Sequence, residues 1–292
     1  MMFKGSIVAI VTPFRNNKVD EQKLRDLIEF QIKNGSSGIV PCGTTGESAT
    51  LTFQEHERVI EIIIQQAKKR VPVIAGTGSN STDEAIMLTK QAAQAGADAS
   101  LQVSPYYNRP TQKGLYEHFK AIANSVDIPI ILYNIAGRTG VNIEPETISR
   151  LASDCKNIVA VKEASGNLEQ MSRIKMLCPS GFQLISGDDG LTLPVLSIGG
   201  IGIISVVANI VPKDVADLVS AYELGNIKKA QELHYKLLPL IKAAFIETNP
   251  IPVKTAMGLL GMCEPDLRLP MCSMMPENLE KLKKALKDYG LL

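Results

Sequence analysis

The chain has no tryptophan, and aromatic residues make up only 5% of its 292 positions. That scarcity argues against stacking on nucleic-acid bases and against a flat protein interface built on aromatic anchors. An excess of charge of either sign is also missing. Thirty-one lysines and arginines against 30 aspartates and glutamates leave a net charge of +1. No basic field is present to draw in a nucleic acid or an anionic membrane. The five cysteines (Cys42, Cys155, Cys178, Cys263, Cys272) are scattered, odd in number and without a Cys-x-x-Cys. Neither a disulfide framework nor a zinc site is expected, and the pattern fits a reducing cytosol. Apolar runs such as Ile62-Ile63-Ile64 fall far short of the roughly 20 residues that span a bilayer. The opening Met-Met-Phe-Lys-Gly lacks the apolar stretch of a secretory signal. A soluble, cytoplasmic protein is expected, with no nucleic-acid or membrane partner.

What the chain does have is a recurrent pattern. Hydrophobic residues make up 45%, enough for a full core. Short β-branched runs at 7–11, 38–40, 71–75, 99–103, 130–133, 158–161, 183–185 and 202–205 read as eight strands, spaced about every 25–35 residues. Amphipathic stretches lie between them. One helix is predicted over 21–33, after Asp20 as N-cap and ending at Asn34-Gly35. Another covers 53–70, where Thr52 and Glu55 form a capping box. A third covers 82–95, ended by Gly96. Eight βα units predict a (β/α)8 TIM barrel, with an open doubly wound sheet as the competitor. The glycine-rich run at 199–202 weakens the eighth strand. After Gly225 the strands stop, and 228–247, 251–260 and 277–287 read as helices. The expected division is a catalytic barrel over 1–224 and a C-terminal α-helical extension over 225–292, forming one body.

In such a barrel the active site forms where strands end. Lys162 closes the apolar run Ile158-Val159-Ala160-Val161. An amine at a strand exit, held in a partly dry pocket, loses its proton more readily and can attack a carbonyl to form a Schiff base. Snorkelling to water is the plain alternative. After the second strand, Gly43-Thr44-Thr45-Gly46-Glu47-Ser48 combines small residues with hydroxyls, which suits an anion or simply a tight turn. The fifth strand ends at Tyr133-Asn134, followed by Gly137-Arg138-Thr139-Gly140. The phenol of Tyr133 can move protons, and the guanidinium of Arg138 can clamp a carboxylate. Asp188-Asp189 after the seventh strand is explained by turn and capping chemistry. None of the three histidines lies near a strand end, so no metal site is expected. Together these groups suit a carbonyl substrate bearing a carboxylate.

Gly43-Thr44-Thr45-Gly46-Glu47, Tyr106-Tyr107-Asn108, Tyr133-Asn134, Gly137-Arg138-Thr139-Gly140 and Lys162-Glu163-Ala164 occur in that order. As a set they resemble the dihydrodipicolinate synthase family, among the Schiff-base aldolases that include N-acetylneuraminate lyase. The likeness runs from Gly5-Ser6-Ile7-Val8-Ala9 to Asn249-Pro250-Ile251-Pro252-Val253-Lys254 and Leu267-Arg268-Leu269-Pro270. The resemblance implies condensation of pyruvate with L-aspartate 4-semialdehyde, in the diaminopimelate route to lysine, without cofactor or metal. It implies Lys162 as the Schiff-base lysine and Tyr133 as general acid/base. Thr44 would relay protons to Tyr107 of a neighbouring subunit, and Thr45 would bind the pyruvate carboxylate. Arg138 would hold the semialdehyde carboxylate, with main-chain groups of Gly187 and Ile204 nearby. It also implies a homotetramer built as a dimer of dimers, and an L-lysine effector site at Ser48, Ala49, His56, Asn80, Glu84 and Tyr106. On the residues alone, His56 and Glu84 read as solvated helix surface.

Two departures stand out. Ala136 occupies a place often held by proline or serine, which leaves the approach to Arg138 less stiff. Phe53 stands where lysine-sensitive relatives often carry histidine, which weakens the implied effector site. The competing readings are another pyruvate-dependent aldolase, such as N-acetylneuraminate lyase or a keto-deoxy-sugar-acid aldolase, and a non-catalytic lysine-binding scaffold. Arg138 favours the synthase, because sugar-acid relatives tend to lack that arginine.

Overall fold

The computed structural model describes residues 3–292. Eight strands run parallel: β1 (Gly5–Ala9), β2 (Gly38–Val40), β3 (Ile74–Gly76), β4 (Ala99–Val103), β5 (Ile130–Asn134), β6 (Ile158–Glu163), β7 (Gln183–Ser186) and β8 (Gly202–Ser205). They pair in the order β2-β1-β8-β7-β6-β5-β4-β3. The two ends of that order meet. Ile39 and Val73 form a parallel bridge, the Ile39 N–H donates to the Pro72 carbonyl at 3.0 Å, and the Gly76 N–H donates to the Pro41 carbonyl at 3.0 Å. The sheet therefore closes into the expected (β/α)8 barrel rather than lying open.

Helices α1 (Glu21–Lys33), α2 (Phe53–Ala67), α3 (Thr82–Ala95), α4 (Gln112–Ala123), α5 (Pro145–Asp154), α6 (Leu168–Leu177), α7 (Thr192–Ser197) and α8 (Pro212–Glu223) ring the barrel. Local chemistry sets their starts. The Asp20, Thr52 and Ser81 side chains accept from the amides of Lys23, Glu55 and Glu84, and Thr52 with Glu55 completes the capping box.

Several boundaries differ from the sequence reading, and three have a clear local cause. The first strand ends at Ala9, because the Val11 amide donates to the Asn209 side chain at 3.1 Å instead of to a strand. The third begins only at Ile74, since Pro72 has no N–H to give to a ladder. The second helix stops at Ala67, where Lys68 and Lys69 turn left-handed at φ 49° and 58°. The eighth strand forms despite its glycines. Gly202 lies so close to β1 that a Cβ there would sit 2.1 Å from the Gly5 carbonyl oxygen.

Strand alternation decides what faces inward. Ile131, Tyr133, Ala160, Ile185 and Ile204 join the cluster inside the barrel, while Ile130, Leu132 and Val161 pack outward against helices. After α8 come α9 (Ile227–Ala244), α10 (Ile251–Leu259) and α11 (Pro276–Tyr289). Leu240, Val253, Ala256 and Leu282 share one buried cluster with Val8, Ile39 and Ile63. The extension and this side of the barrel thus bury apolar surface in common. Among the described residues, no helix is long and apolar enough to cross a membrane.

Candidate active site

Ala160 faces the barrel interior, so Lys162, two residues on, does too. The structure places this lysine inside β6 rather than beyond its end, in register with Tyr133 on β5 and Ile185 on β7. Its side chain is 6% exposed. Among the described residues Nζ makes no ion pair, and it rests 4.1 Å from the centre of the Tyr133 ring. Burial in this apolar ring drives the amine pKa down from 10.5 to about 7, and the positive charge of Arg138 pushes the same way. The Asp189 carboxylate opposes both.

Tyr133 is shifted in the other direction. Burial raises its phenol to about 12, while Arg138 and the Thr44 hydroxyl beside it pull downward. An amine that loses its proton near neutrality therefore faces a phenol that keeps its own. That combination supplies a nucleophile and a proton donor in one dry space.

The turn after β2 leaves two amides open to an anion. The amides of Gly46 and Glu47 bond back to the carbonyls of Gly43 and Thr44, both at 3.1 Å. The Thr12 hydroxyl holds the Gly46 carbonyl at 2.7 Å. Among the described residues, no protein group accepts from the amides of Thr44 and Thr45. Those two N–H groups are free to meet a carboxylate, while the Thr44 hydroxyl bonds Tyr133 and the Thr45 hydroxyl accepts from Asn249. Arg138 sits on a one-turn helix, Ala136–Thr139, opened by Ala136 and closed by the Gly140 amide on the Ala136 carbonyl at 2.9 Å. One arm of its guanidinium donates to the Asn249 carbonyl at 3.0 Å, and the residue is otherwise exposed at the mouth.

Gly187 and Ile204 follow the same geometry. A Cβ on Gly187 would lie 3.1 Å from the Lys162 Cε and 2.7 Å from the Ala164 Cβ, so only glycine fits beside the lysine stem. Ile204 is fully buried inside the barrel. Tyr107 is not brought in. It is 91% exposed, with φ of 73°.

The residues of the implied effector site are joined to one another only in part. The Asn80 amide donates to the Tyr106 carbonyl at 3.1 Å, and Glu84 accepts from Ser79 at 2.9 Å. Ser48 and Ala49 lie on the short turn before α2. The solvated reading of His56 is wrong. It is 6% exposed and its Nε2 lies 2.8 Å from the Gly76 carbonyl, which ends β3. Burial lowers its pKa, and Glu84 opposes that shift.

Two functional candidates were missed in the sequence. Asp189 is more than a turn residue. Asp188 does cap the turn, accepting from Gly190 at 2.8 Å, but the Asp189 carboxylate is buried and accepts from the Ser205 hydroxyl and the Val206 amide. Its burial beneath an apolar run was not visible from the Asp-Asp-Gly pattern. Asn249 is 4% exposed and donates to the Thr45 hydroxyl at 3.0 Å, while its carbonyl takes Arg138. It lies 204 residues from Thr45. Only a polar residue ahead of the apolar stretch Ile251–Leu259 hinted at it.

A closed barrel with a dry, unpaired lysine near the end of its sixth strand, a facing phenol and an anion turn defines an enzyme working through a lysine imine. The chain belongs to the Dihydrodipicolinate synthetase family, whose model matches residues 2–289. It is 62% identical over 291 residues to the 4-hydroxy-tetrahydrodipicolinate synthase of Endomicrobium trichonymphae, covering 100% of both chains. The crystal structure of dihydrodipicolinate synthase from Aquifex aeolicus matches with a TM-score of 0.98 and 54% identity, covering 99% of each chain. The dihydrodipicolinate synthase of Cyanidioschyzon merolae with lysine bound matches at 0.96 and 44% identity, over 100% of this chain and 99% of that one.

Proposed function

We propose that this chain condenses pyruvate with L-aspartate 4-semialdehyde to 4-hydroxy-tetrahydrodipicolinate, in diaminopimelate and lysine biosynthesis. The observation that carries the reading is the unpaired Lys162 amine, with a pKa lowered to about 7, set 4.1 Å from the Tyr133 ring. The neutral amine adds to the pyruvate carbonyl carbon. The Tyr133 phenol, protonated because its pKa lies near 12, gives its proton to the departing hydroxyl. Water leaves and an iminium remains. The phenolate so formed is basic enough to take a proton from the methyl group, which the iminium has acidified, and an enamine results. The enamine carbon attacks the aldehyde carbon of the second substrate. The amino group of that substrate then displaces Lys162 and closes the ring.

Thr45 would hold the pyruvate carboxylate beside the open amides of the turn, and Thr44 would relay protons from Tyr133. Arg138 would hold the carboxylate of the semialdehyde, with the main chain of Gly187 and Ile204 lining the approach. Tyr107, exposed and held on a left-handed turn, would reach the Thr44–Tyr133 pair of a neighbouring copy, in a homotetramer arranged as a dimer of dimers. L-Lysine would act as effector near Asn80, Glu84 and Tyr106, weakly because Phe53 brings no hydrogen-bonding group. Five free thiols support a reducing cytoplasm as the place of action.

Borohydride reduction with pyruvate tests the reading. Peptide mass spectrometry should find pyruvate covalently attached at Lys162, and an unmodified Lys162 in fully reduced samples would refute it.

A further inference from the structure

Glu47 ends the anion turn and adopts a left-handed φ of 54° without being glycine. Its carboxylate leaves the turn and enters the body of the protein. One oxygen meets the Lys254 Nζ at 2.7 Å, and the other accepts from the Arg268 amide at 3.1 Å. The side chains of Lys254 and Glu47 are 0% and 2% exposed. Lys254 also donates to the Asp266 carbonyl at 2.6 Å, and its charge lies 4.1 Å from the centre of the Phe14 ring. Lys254 is on α10, five residues after Asn249, which lies just before that helix and binds the Thr45 hydroxyl. The anion turn is thus gripped three times by the extension, through Asn249, through Lys254 and through the Arg268 amide.

A fully dry ion pair is a poor way to add stability, since desolvation of both charges consumes most of what their attraction returns. It is a strong way to fix one geometry, because neither charge can relax elsewhere without its partner. We propose that the Glu47–Lys254 pair consists of positioning residues that hold the Thr44–Thr45 turn in shape for the pyruvate carboxylate. By this inference the C-terminal extension, 225–292, is part of the substrate site rather than an appendage to a self-sufficient barrel, 1–224. The inference rests on the proposed imine chemistry and deepens it.

The test compares the pyruvate concentration that half-saturates borohydride trapping with thermal stability, in the full-length chain. Lys254→Met removes the charge at similar length, and Glu47→Gln keeps a hydrogen-bonding group while discharging the turn. Glu47→Gln serves as the second variant if Lys254→Met does not fold. Ile148→Ala, a fully buried change in α5 away from the mouth, supplies a matched loss of melting temperature. The expected result is a rise in half-saturating pyruvate of about tenfold or more for the charge variants, with maximal trapping still reached, and no rise for Ile148→Ala. A lowered melting temperature with unchanged half-saturation in Glu47→Gln or Lys254→Met would overturn the positioning role. No adduct in the wild-type chain would instead refute the imine reading, and this inference with it.

Discussion

Two lysines are buried among the described residues, and their surroundings act on them in opposite ways. Lys162 lies among apolar barrel residues with no carboxylate in contact, and burial lowers its pKa to about 7. Lys254 is more deeply buried, yet it meets Glu47 at 2.7 Å and the Asp266 carbonyl at 2.6 Å. Burial lowers its pKa as well, but Glu47 pulls it back toward the ammonium form. A buried lysine therefore gives up its proton through what is missing beside it, not through depth alone. Asp189 marks the boundary between the cases. Its charge acts on Lys162, but its oxygens are already taken by Ser205 and Val206.

Removing each amine should separate the roles most widely. Lys162→Ala is expected to cost turnover on the order of 10⁴-fold or more, because the covalent route disappears. Lys254→Met should still form the pyruvate adduct. Steady-state kinetics with both substrates measure the first effect, and a Lys162→Ala enzyme within tenfold of wild type would end the comparison. Tyr133→Phe should leave the lysine dry but remove its proton donor, costing roughly 10²- to 10⁴-fold in turnover. A wild-type rate for this variant would place the acid elsewhere.

Arg138→Ala touches the mouth rather than the nucleophile. Losing a charge-assisted fork is expected to lower kcat/KM for the semialdehyde by roughly 10- to 100-fold. Pyruvate trapping at Lys162 should stay near wild type. The same loss in both measurements would mean that Arg138 serves the first substrate too.

The two lysines were also unequally legible. Lys162 announces itself because it interrupts a β-branched run, and strand parity then turns it inward with Ala160. The barrel was legible for a related reason: strand period, helix caps and spacing are local signals. Lys254 sits in a stretch of apolar residues, Ile251–Leu259, where one charge is out of character. Its partner lies 207 residues earlier, and no local pattern joins them. The same distance hid Asn249 from Thr45. The third strand was misjudged because barrel closure there depends on a carbonyl, that of Pro72, and not on a run of paired residues. Tyr107 reads plainly as a motif residue, but one chain leaves it in solvent, so the role proposed for it requires a second copy.

The dry lysine should also carry a cost in stability that the paired one does not. In the unfolded chain Lys162 titrates at the ordinary value of 10.5, and in the folded chain at about 7. Below pH 7 both states hold the proton, and the folded state bears the full penalty of burying an unpaired ammonium. As pH rises from 7 to 10.5 the folded state releases its proton first, so the penalty shrinks, and above 10.5 it is gone. Lys162→Met, similar in length and uncharged, removes the penalty at every pH. That variant should therefore be more stable than wild type at pH 6, by about 1–3 kcal/mol, with the gap closing toward pH 10. Denaturant unfolding at a series of pH values measures it. A gap that stays constant with pH would mean that Lys162 keeps its proton in the folded state, and that the contrast with Lys254 is one of packing rather than of charge.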